Sequence, residues 1–255
     1  MATEVRANFM HVALVLSLGA AGTLIGCTLV LANTYKARLE HPKKMEQSLA
    51  VTGSARKRIH SDLAVWRISL SGSGEDLKSG YAALKSATEK VSKFLDGHKF
   101  TPQEIALGAI TSQPKYAMDR RGNETREQVG YKLDRTFTVS CPRVEAVASA
   151  ASEVTELIQD GLEVVSSAPE YYYTKIGDLK IEMIGEASKD ARSRADQIVT
   201  QAGCGIGEVR TARMGVLQIT CPESTEVKSE GIYDTSTIEK DVTAVVALSF
   251  ALVNR

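Results

Sequence analysis

Leu63-Ala64-Val65-Trp66-Arg67-Ile68-Ser69-Leu70-Ser71-Gly72-Ser73-Gly74 is the stretch that decides the fold. Leu63, Val65, Arg67, Ser69 and Ser71 alternate with Ala64, Trp66, Ile68 and Leu70. A period of two with one apolar face describes a strand that lies half-buried in a sheet. Ser71-Gly72-Ser73-Gly74 breaks that period. Ser73 followed by Asp76 resembles a capping box, so a helix is expected to open there. Leu77, Tyr81, Leu84, Thr88, Val91 and Leu95 then recur at spacings of four and three, up to Gly97. Strand, tight break and amphipathic helix follow one another within 35 residues.

Working outward, Ser48 to Ala55 reads as a preceding strand. Ile105–Ile110 and Tyr131–Cys141 flank the polar turn Asp119–Asn123 and predict a long hairpin. Pro142 suits the first turn of a second helix, carried by Val144, Val147, Ala151, Val154 and Leu157 and closed near Gly161. Leu162–Thr174 reads as one strand. A third helix is expected from about Asp178 to Ala202, with Leu179, Met183, Ala187, Ala191, Ala195 and Ile198 on one face. Val209–Ile219 is strand-like, Pro222–Thr237 is a polar loop, and Val242–Phe250 ends the chain as a buried strand. The order ββα-ββα-β-α-ββ implies an α+β fold with largely antiparallel sheet and intervening helices. Recurring strand–helix–strand pieces allow two similar sub-units within residues 48–255.

Upstream, Phe9 to Ala32 carries no charge over 24 residues. A helix of that length spans ~36 Å, against a hydrocarbon core of ~30 Å. The expected layout is a flank (1–8), a transmembrane anchor (9–32), a tether (33–47) and the domain. A cleaved secretory signal is a second reading. A lipoprotein signal, with Leu24-Ile25-Gly26-Cys27 as its lipobox, is a third. Arg6 precedes the apolar run and Lys36, Arg38, Lys43 and Lys44 follow it, a bias that favours a cytoplasmic domain. A short N-terminus followed at once by a span is instead the layout of an exported domain.

The 255 residues hold 31 basic and 31 acidic side chains and 5% aromatics. A balanced charge and few aromatics exclude a nucleic-acid coat and a base-stacking platform. Four cysteines exclude a disulfide scaffold, although two of Cys141, Cys204 and Cys221 could pair outside the cytoplasm. His11, His41, His60 and His98 lack the i+3 or i+4 partner of a helical metal site. Gly203-Cys204-Gly205-Ile206-Gly207 follows a helix and precedes a strand, the reverse of a phosphate loop, and reads as a helix terminus. Glu182, Glu186 and Asp190 read as a solvated face partnered by Lys189 and Arg194. No catalytic, cofactor-binding or metal residue emerges, and no cofactor is expected. The candidate contact residues are Tyr171, Tyr172 and Tyr173, together with the small-residue stripe Ala187, Ala191 and Ala195.

Several pieces then add up. Val51-Thr52-Gly53 with Asp62-Leu63-Ala64, Thr111-Ser112-Gln113-Pro114-Lys115-Tyr116, Gly130-Tyr131-Lys132, Asp190-Ala191-Arg192-Ser193-Arg194-Ala195, Gly203–Val209 and Val242–Leu252 resemble, in order, the SIMPL-domain family. That family often has proline before the aspartate, where this chain has Ser61. The resemblance implies an envelope protein without a known reaction, secreted or held by one N-terminal helix. Some members are linked to oxidative or envelope stress, and some build homo-oligomeric rings. It tips the orientation outward: a single-pass inner-membrane protein whose domain faces the periplasm. Its partners would be the bilayer, through Phe9 to Ala32, and copies of itself in numbers above two. A periplasmic module for a small ligand or a peptide is the alternative.

Overall fold

A computed structural model of the chain describes residues 27–32, 34–36 and 47–254. The strands are β1 (Ser48–His60), β2 (Leu63–Gly74), β3 (Ile105–Leu107), β4 (Thr111–Met118), β5 (Glu124–Cys141), β6 (Glu163–Ser166) and β7 (Glu170–Tyr172), followed by β8 (Cys204–Met214), β9 (Gln218–Thr220), β10 (Ile232–Tyr233) and β11 (Glu239–Asn254). The helices are α1 (Leu77–Gly97), α2 (Val144–Glu153) and α3 (Ile176–Gln201), with a 3-10 helix over Val154–Asp160.

Two sheets result, each covered by helices on one face. In the first, β2 lies antiparallel between β5 on one side and β6 and β7 on the other. The even residues Ala64, Trp66, Ile68 and Leu70 are buried beneath α1 and α2, as the alternation predicts. Leu84, Val91 and Leu95 of α1 and Val144 and Val147 of α2 complete that core. In the second sheet β11 is central, with β1 on one side and β8 and β9 on the other. Helix α3 covers this sheet with Leu179, Met183 and Ala187, against Val242, Ala244 and Val246.

Two chain segments cross between the sheets, the first where β1 ends at His60 and β2 begins at Leu63, the second between β7 and α3. The Ser61 amide donates to the Ile238 carbonyl and the Asp62 amide to the Tyr172 carbonyl, both at 2.9 Å. The Asp62 carboxylate accepts from the Thr174 amide (2.7 Å) and hydroxyl (2.8 Å), which fixes the approach to α3.

Several boundaries differ from expectation. The cap of α1 is Asp76, reciprocated by Ser79, in place of a box begun by Ser73. The expected strand Leu162–Thr174 is two strands, parted around Pro169, which has no N–H to give to a ladder. The strand expected over Val209–Ile219 starts earlier, at Cys204, and is interrupted before β9. The second helix tightens to 3-10 geometry after Glu153 and stops at Gly161, whose φ is +78°. Gly203, with φ +73°, ends α3, in keeping with a helix terminus at the glycine run. The apolar run Phe9–Ala32 lies outside the described residues except for 27–32, which are helical and exposed. Among the described residues no helix is long and apolar enough to cross a membrane.

Candidate functional site

A concave apolar region lies where three distant segments meet over the second sheet. Ile176, Lys180 and Ile184 recur every fourth residue and so share one side of α3. Met214–Leu217, between β8 and β9, forms the facing wall, and Gly231–Tyr233 closes the third side. Ile219 and Ala244 of the sheet complete a groove of about 540 Å³. Lys180, Glu230 and Tyr233 are its titratable residues. With mostly apolar walls, such a groove suits an apolar chain or ring.

The segment Pro222–Thr237, expected to be a polar loop, lines the groove with 230–233 and contains the short strand β10. It is tied down within the chain. Buried Gln218 donates through Nε2 to the Lys228 carbonyl at 2.8 Å. The Tyr171 amide donates to the Thr235 carbonyl at 2.8 Å. Asp234 accepts from the amide of Ser236 and the hydroxyls of Ser236 and Thr237. The Lys240 ammonium, whose residue is fully buried, reaches the Asp234 carboxylate at 3.3 Å and the Thr237 carbonyl at 2.5 Å. Burial by itself would raise the Asp234 carboxyl; the two hydroxyls and Lys240 outweigh it and hold it well below the carboxylate range. Burial lowers Lys240, and Asp234 opposes part of that shift.

Two further clusters are structural in geometry. On the face of the second sheet away from α3, the Asp241 carboxylate accepts from Arg56 Nη2 (2.7 Å), Arg58 Nε (2.9 Å) and the Glu223 amide (2.9 Å). Arg58 first, then the Glu223 amide and Arg56, hold its carboxyl far below the usual range. At the first sheet the Cys141 thiol donates to Glu104 Oε1 at 2.9 Å, and Arg143 approaches Glu104 Oε2 at 3.3 Å. The thiol above all, with the Thr101 amide, draws the Glu104 carboxyl down to about 2. Burial, then Glu104, pushes the Cys141 thiol up, away from a reactive thiolate.

The residues expected to make contacts fare differently. Ala187, Ala191 and Ala195 are fully buried within the chain, so they are corrected from an intersubunit stripe to an internal one. Their small side chains let α3 press onto β1: a β-carbon on Gly53 would stand 2.2 Å from the Ala187 carbonyl oxygen. Tyr171 belongs to the first core and Tyr173 packs on the second, although alternation put both on one face. The strand ends at Tyr172, which frees Tyr173 to turn away. Tyr172 stays outside, its hydroxyl donating to Glu170 at 2.8 Å and its ring 6.5 Å from that of Tyr233. The tyrosine strand and the 222–237 segment thus meet, within one subunit. Lys57 pairs with Glu182, Lys189 with Glu186, and Arg194 with Asp190, the solvated face expected there. His60 faces Glu145 and His98 faces Glu153. Cys141, Cys204 and Cys221 are free thiols, and Cys221 is exposed. Sequence reasoning missed the groove; the apolar pair Ile232-Tyr233 inside an otherwise polar stretch was its one signal.

The family model described as SIMPL, a protein of unknown function (DUF541), matches residues 49–250. No curated protein matches the chain. Among solved structures, the ligand-free regulatory subunit of aspartate kinase from Thermus thermophilus aligns at 16% identity over 77% of this chain and 87% of that one, with a TM-score of 0.18.

Proposed function

The chain belongs to the SIMPL family, and from that premise we propose that it acts by assembly: a membrane-anchored, outward-facing homo-oligomer of the cell envelope, serving in envelope stress without catalysis. The observation that carries this reading is the arm made by β4 and β5. Pairing of β5 with β2 ends at Tyr131 opposite Gly74, and from there β4 and β5 run on as two strands alone, out to the pair Met118 and Glu124. Met118 and Val129 on it are 64% and 45% exposed. A two-stranded ribbon is marginal in water by itself, so an arm of this kind gains stability from a neighbour. The positions shared with the family point the same way, toward architecture. Gly53 and Ala191 set the seating of α3, Asp62 holds Thr174, and Gly130 passes so close to Gly74 that a β-carbon would stand 2.3 Å from its carbonyl oxygen.

The uncharged run from Phe9 to Ala32 supplies the anchor. Protease treatment of intact spheroplasts carrying a C-terminal tag tests the topology: the tag is digested together with a periplasmic marker. Light scattering on the detergent-extracted full-length protein tests assembly: the mass exceeds that of a dimer. A protected tag, or a monomer at micromolar concentration, overturns the corresponding half.

The groove beside Ile232 supports a second reading, a module for a small apolar ligand or an apolar peptide side chain. An anilinonaphthalene sulfonate probe that raises the melting temperature of the wild type, and fails to in Ile232→Glu, would favour it.

A further inference from the structure

The apolar groove beside Ile232 and the arm made by β4 and β5 belong to opposite ends of the molecule. Tyr233 of the groove wall stands against Tyr172, and Tyr172 pairs with Leu63, the first residue of β2. The arm leaves the first sheet beside Gly74, the last residue of β2. Those two ends are about 36 Å apart along an extended strand. The free part of β5, from Glu124 to Gly130, is about 20 Å long. An arm of that length is too short to turn back into the groove of its own chain.

What the arm carries at its tip matches what the groove displays. Met118 is exposed at the end of β4, and its unbranched thioether chain adapts to an irregular apolar cleft. The Asp119 carboxylate accepts from the amides of Arg121 (2.8 Å) and Asn123 (2.9 Å), which shapes the turn and leaves Arg120 and Arg121 exposed. Glu124 sits opposite Met118 in the ladder. In the groove, Lys180 stands on the α3 wall, and Glu230 stands on the wall that leads into β10. Among the described residues Arg120, Arg121, Glu124 and Lys180 make no ion pair, and Glu230 accepts from the Ser229 hydroxyl at 2.8 Å. Each surface therefore sets both signs of charge beside an apolar centre.

We propose that the arm of one copy seats its tip in the groove of the next, with Met118 among Ile176, Ile184 and Ile232, Glu124 toward Lys180, and Arg121 toward Glu230. The occupant is a second copy because one chain carries both halves of the contact, complementary in charge and too far apart to meet within it. Two different patches join, so the contact repeats head to tail, and it closes where the rotation per copy allows. The ribbon gains the neighbour that a pair of strands lacks by itself, and the groove is filled by protein. This contact rests on the reading of the chain as a homo-oligomer.

The test uses full-length protein in mild detergent, with the mass read by light scattering. Met118→Asp spoils the arm and Ile232→Glu spoils the groove. Each variant alone is expected to fall from the wild-type assembly to a single copy. An equal mixture recovers a 1:1 pair and nothing larger, since one variant keeps a working groove and the other a working arm. That pair also shows both variants folded. Glu124→Lys and Lys180→Glu, both at exposed positions that leave the core untouched, are each expected to lower the assembled fraction, and the two together in one chain restore it. A mixture that stays single while both variants keep native circular dichroism overturns the arm-in-groove contact. A double reversal that assembles no better than either single one overturns the pairing of Glu124 with Lys180. Variants that assemble like a large wild type overturn the contact and leave the homo-oligomer standing. A monomeric wild type overturns both.

Discussion

Gly53 lies so close to Ala191 that a β-carbon on the glycine would stand 2.3 Å from the Ala191 amide nitrogen. Strand β1 and helix α3 therefore meet backbone to backbone, with a glycine on one side and an alanine on the other. Gly53→Ala is expected to destabilise the domain by ~1–3 kcal/mol, because the helix must back away from the sheet. Urea denaturation of the two proteins measures it. Gly97→Ala, at a position with open space around it, serves as the neutral comparison.

Asp62 joins the sheet crossing to the start of α3 through two bonds to Thr174. Asp62→Ala removes both, at a cost of ~1.5–3 kcal/mol for bonds to a charged group. Asp62→Asn keeps one acceptor and should recover part of the loss. Hydrogen exchange at the first turn of α3 should rise in Asp62→Ala before it rises in α1.

Asp241 and Asp234 are both held below their ordinary range in the folded protein. The native state therefore binds fewer protons than an unfolded chain whose aspartates titrate at about 3.9. Their contribution is complete above that value and is lost as the pH falls below it. The urea midpoint should drop steeply below about pH 4. Asp241→Asn should be the weaker protein at pH 7, with its deficit against wild type shrinking as the solution is acidified.

Cys141 is buried and its thiol is pushed up, while Cys221 is exposed. Iodoacetamide at pH 8 should label Cys221 within minutes and leave Cys141 unmodified until urea unfolds the chain. Peptide mass spectrometry reads both sites. Rapid labelling of Cys141 in the native protein would contradict the core role assigned to it.

Local patterns announced what local physics decides. The alternation through Leu63–Leu70 and the stripe Leu179, Met183, Ala187 place the elements and their buried faces without a partner in view. The same stripe is silent on what it buries against. Ala191 permits a close neighbour, but only the tertiary fold supplies Gly53 as that neighbour. The break near Pro169 is marked by its missing donor and by Ser166-Ser167-Ala168 before it, between the strand formers Val164-Val165 and Tyr171-Tyr172. The groove was beyond reach for a different reason: Ile184, Val216 and Ile232 come from three segments, none of them concave alone. Lys240 gave no sign of burial, because the group that allows it, Asp234, works through a loop whose path the sequence does not state.

The register Ser48 to Ala251 ties the first strand of the domain to its last. Closing a loop of about two hundred residues costs chain entropy before any rung of that ladder forms. Topology of this kind folds slowly. On a ribosome, or threading through a pore from the N-terminus, β1 has no partner until the final strand arrives. The half of the domain built on β2, β5 and α1 can condense first, while the half built on β11 waits for the end of the chain. A protein truncated by a dozen C-terminal residues would lose most of that ladder, and a folding helper would meet it with its second sheet still open.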